Sequence, residues 1–303
     1  MINRKYIEEN LTVIVRTVNE RTTDSCYKLL LKQINERNIH FVNECPFTES
    51  IKKSFELSLE KDRKWTLIVD ADVLMKPDSL CEFLKFSERT NENVFKVEGL
   101  IIDKFLDSPR PAGVHLYRTN FLSKALKFIP HPYDAIRPET YVRKKMQENG
   151  CDFVKSNILL GIHDFEQYYR DIYRKCFIQA KKHKKRVNRI LPKWKKKSIE
   201  DEDFKVAVAG FLAGESYDGN VSINAKSEYN DLIEEEIKNL SLEEKRPLQN
   251  NFLFDDRDMF HFIIRELVNI SAELKKTHKT SNKKGNKIAN FFVKEKPNRT
   301  ALS

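Results

Sequence analysis

Asp70 and Asp72 carry the clearest chemistry in this chain. They stand two residues apart, directly after the apolar run Trp65-Thr-Leu-Ile-Val69. In an extended segment such residues point the same way, so both carboxylates can face one ligand. Paired carboxylate oxygens suit a hard divalent cation, Mg2+ or Mn2+, which can also bridge phosphate oxygens. Asp is also common in solvated turns at strand ends. Here the pair follows Leu-Ile-Val and precedes Val73-Leu-Met-Lys-Pro-Asp78, and the elements around it support the ligand-binding reading.

Those elements alternate. Leu11–Arg16, Ile39–Val42, Trp65–Val69 and Val94–Glu98 are short apolar, β-branched runs that read as strands. Ser25–Arg37, Glu49–Glu60 and Asp78–Arg89 between them have helical spacing, the last with Asp78 or Ser79 as N-cap. Such alternation implies right-handed crossovers and a mostly parallel α/β sheet covered by helices. Ligands bind such sheets at the carboxyl ends of the strands. That edge carries Arg16-Thr-Val-Asn-Glu-Arg21, Asn43-Glu44 and Asp70-Ala-Asp72. Further on, Val114–Arg118 reads as a strand, and Asn120–Phe128 and Glu139–Asn149 as helices, the second closed by Gly150. Phe165–Arg189 reads as one long helix. Phe204–Gly214, Tyr229–Asn239 and Asp258–Lys276 complete a helical C-terminal part.

The segment Trp65-Thr-Leu-Ile-Val-Asp-Ala-Asp-Val-Leu-Met-Lys-Pro-Asp78 resembles the strand, metal motif and Pro-containing turn of GT-A fold glycosyltransferases, particularly the family-2-like group. Val13-Ile-Val-Arg-Thr-Val-Asn-Glu-Arg21 resembles that family's first strand and nucleotide loop. The resemblance covers roughly residues 10 to 185. It implies a Rossmann-like sheet in a transferase domain over 1–200; beyond it the residues themselves read as a helical C-terminal region over 201–276 and a basic, flexible tail over 277–303. It implies Asp70 near the donor ribose or metal and Asp72 on the metal. Pro138-Glu-Thr-Tyr through Gly150 resembles the segment that supplies the catalytic base, with Glu139 in that position. The family more often has Glu-Asp where this chain has Glu-Thr, so Asp134 competes for the role. His163, in Gly161-Ile-His-Asp164, resembles a late His used as a further metal or diphosphate ligand. His115 falls in a segment like the family's acceptor-side strand. Glu44 falls where the family binds nucleobase and ribose, and Arg16, Thr17 and Glu20 line the first loop.

The function implied is metal-dependent transfer of a sugar from a UDP- or GDP-sugar to an acceptor hydroxyl. The acceptor would be a glycan or a lipid-linked molecule, and the resemblance implies inversion at the anomeric carbon. A retaining GT-A enzyme or a sugar nucleotidyltransferase would share the acidic metal motif. Nucleotidyltransferases usually open with a Gly-rich loop, which Arg16-Thr-Val-Asn-Glu lacks. Among the 303 residues there are only eight Gly, no P-loop and no Gly-X-Gly-X-X-Gly.

Charge bears on where the protein works. The net charge is +10. Arg170–Lys197 holds 13 Lys/Arg against Asp171 alone, and Lys275–Arg299 holds nine against Glu295. The remainder is therefore acidic, by about ten charges, which argues against a specific nucleic-acid coat. The segment 170–197 suits an anionic membrane surface. A non-catalytic protein binding nucleic acid or membrane through these runs is the reading of another class. No apolar stretch reaches the ~20 residues of a membrane span. Met1–Asn10 is charged and does not read as a signal peptide, and the five cysteines fit no zinc spacing. Reduced thiols in cytoplasm, with possible peripheral contact at the cytoplasmic membrane face, are the expectation.

Overall fold

The computed structural model describes residues 2–106, 109–219, 221 and 230–248. Its strands are β1 (Leu11–Arg16), β2 (Ile39–Val42), β3 (Trp65–Asp70), β4 (Val73–Met75), β5 (Val94–Asp103), β6 (Val114–Arg118) and β7 (Asp152–His163). Its helices are α1 (Arg4–Asn10), α2 (Thr23–Leu31), α3 (Phe47–Lys61), α4 (Ser79–Ser87), α5 (Leu122–Leu126), α6 (Pro138–Glu148), α7 (Tyr169–Lys182), α8 (Lys184–Lys197), α9 (Glu202–Ser216) and α10 (Asn230–Asn239). The seven strands form one sheet in the order β2-β1-β3-β6-β5-β7-β4.

The α/β class and the helix-flanked sheet are as expected, but the sheet is mixed rather than mostly parallel. β1 pairs in parallel with β2 and β3, and β5 with β7. The pairings β3–β6, β5–β6 and β4–β7 are antiparallel. The chain between β5 and β6 is too short for a crossover helix, and strands joined that way return antiparallel. β4 likewise turns back two residues after β3.

From β1 the chain steps outward to β2, then back across β1 to β3. Right-handed crossovers with opposite steps put α2 and α3 on opposite faces. On the α3 side, Ile14, Val42, Ile51, Phe55, Ile68, Phe95, Tyr117, Leu122, Val142 and Met146 form one core with α5 and α6. The alternate residues Val13, Val15, Leu67 and Val69 are also buried, so both faces are covered. A second core joins Phe105, from the loop after β5, with Tyr173, Phe177, Val187, Trp194, Phe204, Phe211 and Ile233 from α7 to α10. Gly210 and Gly214 let α9 approach α7: a Cβ on either would lie 2.5 or 2.2 Å from the carbonyls of Tyr173 and Phe177.

Two further differences from the sequence reading concern elements. The long helix expected over Phe165–Arg189 is two helices, α7 and α8, broken at His183 (φ −141°, ψ 29°). β7 occupies a stretch where no strand was expected. Trp65 is fully buried and donates its indole N–H to Glu88 at 2.6 Å. The helix expected over 258–276 and the tail over 277–303 lie outside the described residues.

Candidate active site

Four strands that run the same way, β1, β3, β5 and β7, each end on a charged or titratable residue: Arg16, Asp70, Asp103 and His163. Register fixes their neighbours. Arg16 stands beside Asp70 and Asp103 beside His163. β6 runs the other way and brings His115 to the same edge, near its start. The apolar runs end where the sheet edge meets solvent, so the next polar side chains gather at that edge.

Arg16 is the hub of the first cluster. It is buried, with Nη2 2.7 Å from Asp70 Oδ1 and Nη1 2.9 Å from Glu139 Oε1. Phe47 covers the guanidinium, its ring centroid 4.7 Å away. His115 Nε2 lies 3.2 Å from the other oxygen of Glu139. Glu139 sits in the first turn of α6, behind Pro138, where the helix dipole favours an acid. Burial opposes the Glu139 charge, but Arg16 and His115 outweigh it and hold the carboxyl well below its usual range. Asp70 behaves differently. Burial, with help from Asp72 and Glu139, pushes it up to about 6 against the pull of Arg16.

The second cluster is built on Asp72. The Asp-X-Asp segment is not extended: Ala71 and Asp72 form a turn between β3 and β4. The two carboxylates therefore take different partners. Asp70 turns to Arg16, while Asp72 Oδ1 lies 3.3 Å from His163 Nε2. His163 Nδ1 faces Asp103 Oδ2 at 3.1 Å and Asp164 Oδ2 at 2.7 Å. Lys175 also contacts Asp103 and Asp164. Asp164 takes a left-handed backbone (φ 61°), which Asp tolerates, and its N–H donates to the Asp72 carbonyl at 3.2 Å. Gly113 packs against this group; a Cβ there would lie 2.5 Å from Val73 and 3.3 Å from the His163 ring.

Asp72, His163 and Asp164 can each offer one donor atom, all within 4.8 Å of one another. Two carboxylate oxygens and an imidazole nitrogen fit Mn2+ or Mg2+. The buried Asp164 Oδ2 faces both His163 Nδ1 and the Lys175 ammonium, so an ion bound there would share this carboxylate with them. Burial opposes an imidazolium at His163, yet Asp72 and a hydrogen bond to Asp103 raise its pKa above the ordinary value.

Two cavities adjoin these clusters. A smaller one, about 180 Å3, is lined by Arg16, Thr17, Glu44, Cys45 and Ser50 among others. A larger one, about 530 Å3, is lined by His115, Glu139, His163, Asp164 and many cations. Glu20, Phe47, Asp70 and Asp72 line both. The first loop is held by Glu20, which accepts from Thr17 Oγ1 at 2.9 Å and from the Val18 N–H at 2.7 Å.

The structure thus brings Arg16, Thr17, Glu20, Glu44, Asp70, Asp72, Glu139 and His163 to one edge. It does not bring Asp134 there: that residue is exposed in a turn and lines neither cavity. Sequence reasoning missed Asp103, Asp164 and Lys175. Asp164 directly follows His163 and could have been found by asking what flanks an expected ligand. Asp103 was hidden because the strand reading stopped at Glu98, five residues before β5 ends.

No family model matches the chain, and no curated protein matches it. Among solved structures it is similar to a glycosyltransferase involved in glycosylation of the major capsid of PBCV-1, at 13% identity over 51% of this chain and 93% of that one (TM-score 0.36). It is similar to the mannosyltransferase PcManGT from Pyrobaculum calidifontis in complex with GDP-Man and Mn2+, at 12% identity over 68% and 71% (TM-score 0.38). It is also similar to a 4-diphosphocytidyl-2C-methyl-D-erythritol synthase from Anaerococcus prevotii, at 8% identity over 49% and 89% (TM-score 0.38). Sugar transferases and nucleotidyltransferases both occur among these chains, so the reaction has to be argued from the residues.

Proposed function

We propose that this chain is a metal-dependent glycosyltransferase that moves a sugar from a UDP- or GDP-sugar to an acceptor hydroxyl with inversion. One observation carries this reading: a carboxylate–imidazole–carboxylate group at the strand ends and an ionised Glu139 at the start of α6 line the same cavity. Asp72, His163 and Asp164 would hold Mn2+ or Mg2+. When bound, that ion neutralises the charge that develops on a departing nucleoside diphosphate. The smaller cavity, with Glu44, Thr17 and Ser50 on its walls, suits the nucleoside. Asp70 fixes Arg16 and stands between the two cavities.

Glu139 is the base in this reading. Its two oxygens are oriented by Arg16 and His115, which keeps the carboxylate ionised at neutral pH. So stabilised, it is a weak base. It takes the proton of an attacking hydroxyl only as the new glycosidic bond forms and that proton becomes acidic. A single base on the acceptor side is what inversion requires.

The first loop supports transfer over nucleotidyl chemistry. The Val18 N–H is committed to Glu20. A phosphate-cradling loop needs such amides turned towards the ligand.

The acceptor fits polysaccharide or glycolipid synthesis. α8 buries Val187, Ile190 and Trp194, which leaves Lys184, Lys185, Lys195 and Lys196 exposed, with Ile199 82% exposed just beyond. Each such Lys near an anionic membrane contributes roughly 1 kcal/mol. Flotation with anionic liposomes tests that contact. No helix among the described residues is long and apolar enough to cross a membrane.

Donor hydrolysis and transfer assays with Mn2+ test the reading. Asp72→Asn should abolish both, and Glu139→Gln should abolish transfer while nucleotide binding persists. Undiminished transfer in either variant would refute it.

A further inference from the structure

The lining of the larger cavity includes a group of cations. Arg137 precedes α6, Lys182 and His183 end α7, and Arg110 comes from the loop between β5 and β6; all four line this cavity and none lines the smaller one. Arg137 Nη2 donates to the Lys182 carbonyl at 3.2 Å and lies 2.8 Å from His183 Nδ1. Among the described residues, no carboxylate stands within ion-pair distance of Arg137 or Lys182. Arg110 spends one Nη on Asp103 at 2.6 Å, and its buried Nε has no hydrogen-bond partner.

Arg137 and Lys182 are like charges without a carboxylate partner of their own, which is unfavourable, and the side chains register it. Burial and then Arg137 and Arg110 press the Lys182 ammonium down to about 8. Burial and the same neighbours press His183 down to about 4. Ordinary surface lysines avoid such settings by turning into water. A bound anion with several oxygens would satisfy the Arg137 fork, the Lys182 ammonium and the Arg110 Nε together.

We propose that Arg110, Arg137, Lys182 and His183 form a subsite for a phosphate-type anionic group carried by the acceptor. This rests on the transferase reading of Glu139. The donor's diphosphate is the other source of such chemistry. Two placements favour the acceptor. None of the four residues, nor Glu139, lines the Thr17–Glu44 cavity, and Arg137 is the N-cap residue two positions before Glu139 at the start of α6. An acceptor anchored there by its anionic group would present a neighbouring hydroxyl to the Glu139 carboxylate.

The test uses the full chain without divalent cation. Inorganic phosphate is titrated by phosphorus NMR against wild type, Arg137→Gln, Lys182→Gln and Lys182→Arg. UDP and GDP are titrated calorimetrically with Mn2+ against the same proteins. Phosphate binding should weaken at least ten-fold in each Gln variant and survive in Lys182→Arg, with nucleotide affinity changed less than about two-fold. Phosphate binding absent from wild type, or unchanged in both Gln variants, would overturn the subsite. Nucleotide affinity lost in parallel would overturn its assignment to the acceptor. Phosphate binding that behaves as expected in a protein that binds no nucleotide would uphold the anion subsite and refute the transferase reading alone.

Discussion

Arg16 and Asp70 end neighbouring parallel strands in register, and the Arg16 guanidinium lies 2.7 Å from the Asp70 carboxylate. The pair is more than a local clasp, because the same guanidinium also holds Glu139 at 2.9 Å. One cation thus couples the end of the metal-motif strand to the first turn of α6.

Removing that cation should be costly. Arg16→Gln leaves two partly buried carboxylates side by side, and a broken buried pair typically costs about 3–5 kcal/mol. Urea denaturation should show a loss of that order. Arg16→Lys should fall between, since one ammonium cannot replace a fork that reaches two acids. Wild-type stability in Arg16→Gln would mean that the hub is dispensable.

Glu139→Gln separates chemistry from binding. Transfer should fall by roughly 10²–10⁴-fold, the usual contribution of a positioned base. Affinity for UDP or GDP should change little, which calorimetry checks. Because Arg16 and His115 hold Glu139 well below the usual carboxylate range, it stays ionised across neutral pH. An acid limb of kcat/KM near neutrality therefore belongs to another group. Asp70, raised to about 6, is the one to examine, through the pH profile of Asp70→Asn.

The metal cluster makes its own prediction. Asp72→Asn and Asp164→Asn should each weaken Mn2+ binding by at least about ten-fold, read by calorimetry. Asp103→Asn, which removes the carboxylate against His163 Nδ1, should weaken it about 10–100-fold without removing a ligand.

Far from the site, Glu88 accepts from Trp65 Nε1 at 2.6 Å and from Lys64 and Tyr6. Burial opposes its charge, but these donors outweigh it and lower its pKa. A lowered carboxylate adds stability that is complete above its unfolded pKa, about 4.3. That stability is lost as pH falls through the folded value. Glu88→Gln should cost about 1–3 kcal/mol at pH 7 and flatten the acid end of the stability profile, measured by thermal melts from pH 3 to 7.

Much of this site was legible in the sequence because strand ends are legible. Leu11–Arg16 and Trp65–Asp70 are apolar runs that stop at a charge, and the stop marks the edge. β7 was not legible. Its first half, Asp152–Asn157, is largely exposed or half-buried and mixes Lys, Ser and Asn with Phe and Val, so no period of two stands out. His163 was found by resemblance, while its strand β7, Asp103 at the end of β5 and Asp164 directly after β7 were not. The break at His183 carried no Gly or Pro to announce it, since Lys181-Lys-His-Lys-Lys185 reads as continuous helix. The partner of each carboxylate in Asp70-Ala-Asp72 depended on the turn at Ala71, which spacing alone does not reveal.

The most direct measurement is a calorimetric titration of UDP- and GDP-sugars against the full chain, with and without Mn2+, repeated on Asp72→Asn. A metal-dependent donor site at this sheet edge predicts binding of at least one nucleotide sugar that is strengthened at least ten-fold by Mn2+ and loses that enhancement in Asp72→Asn. Binding of no nucleotide sugar under either condition, or a Mn2+ enhancement that persists in Asp72→Asn, would contradict it.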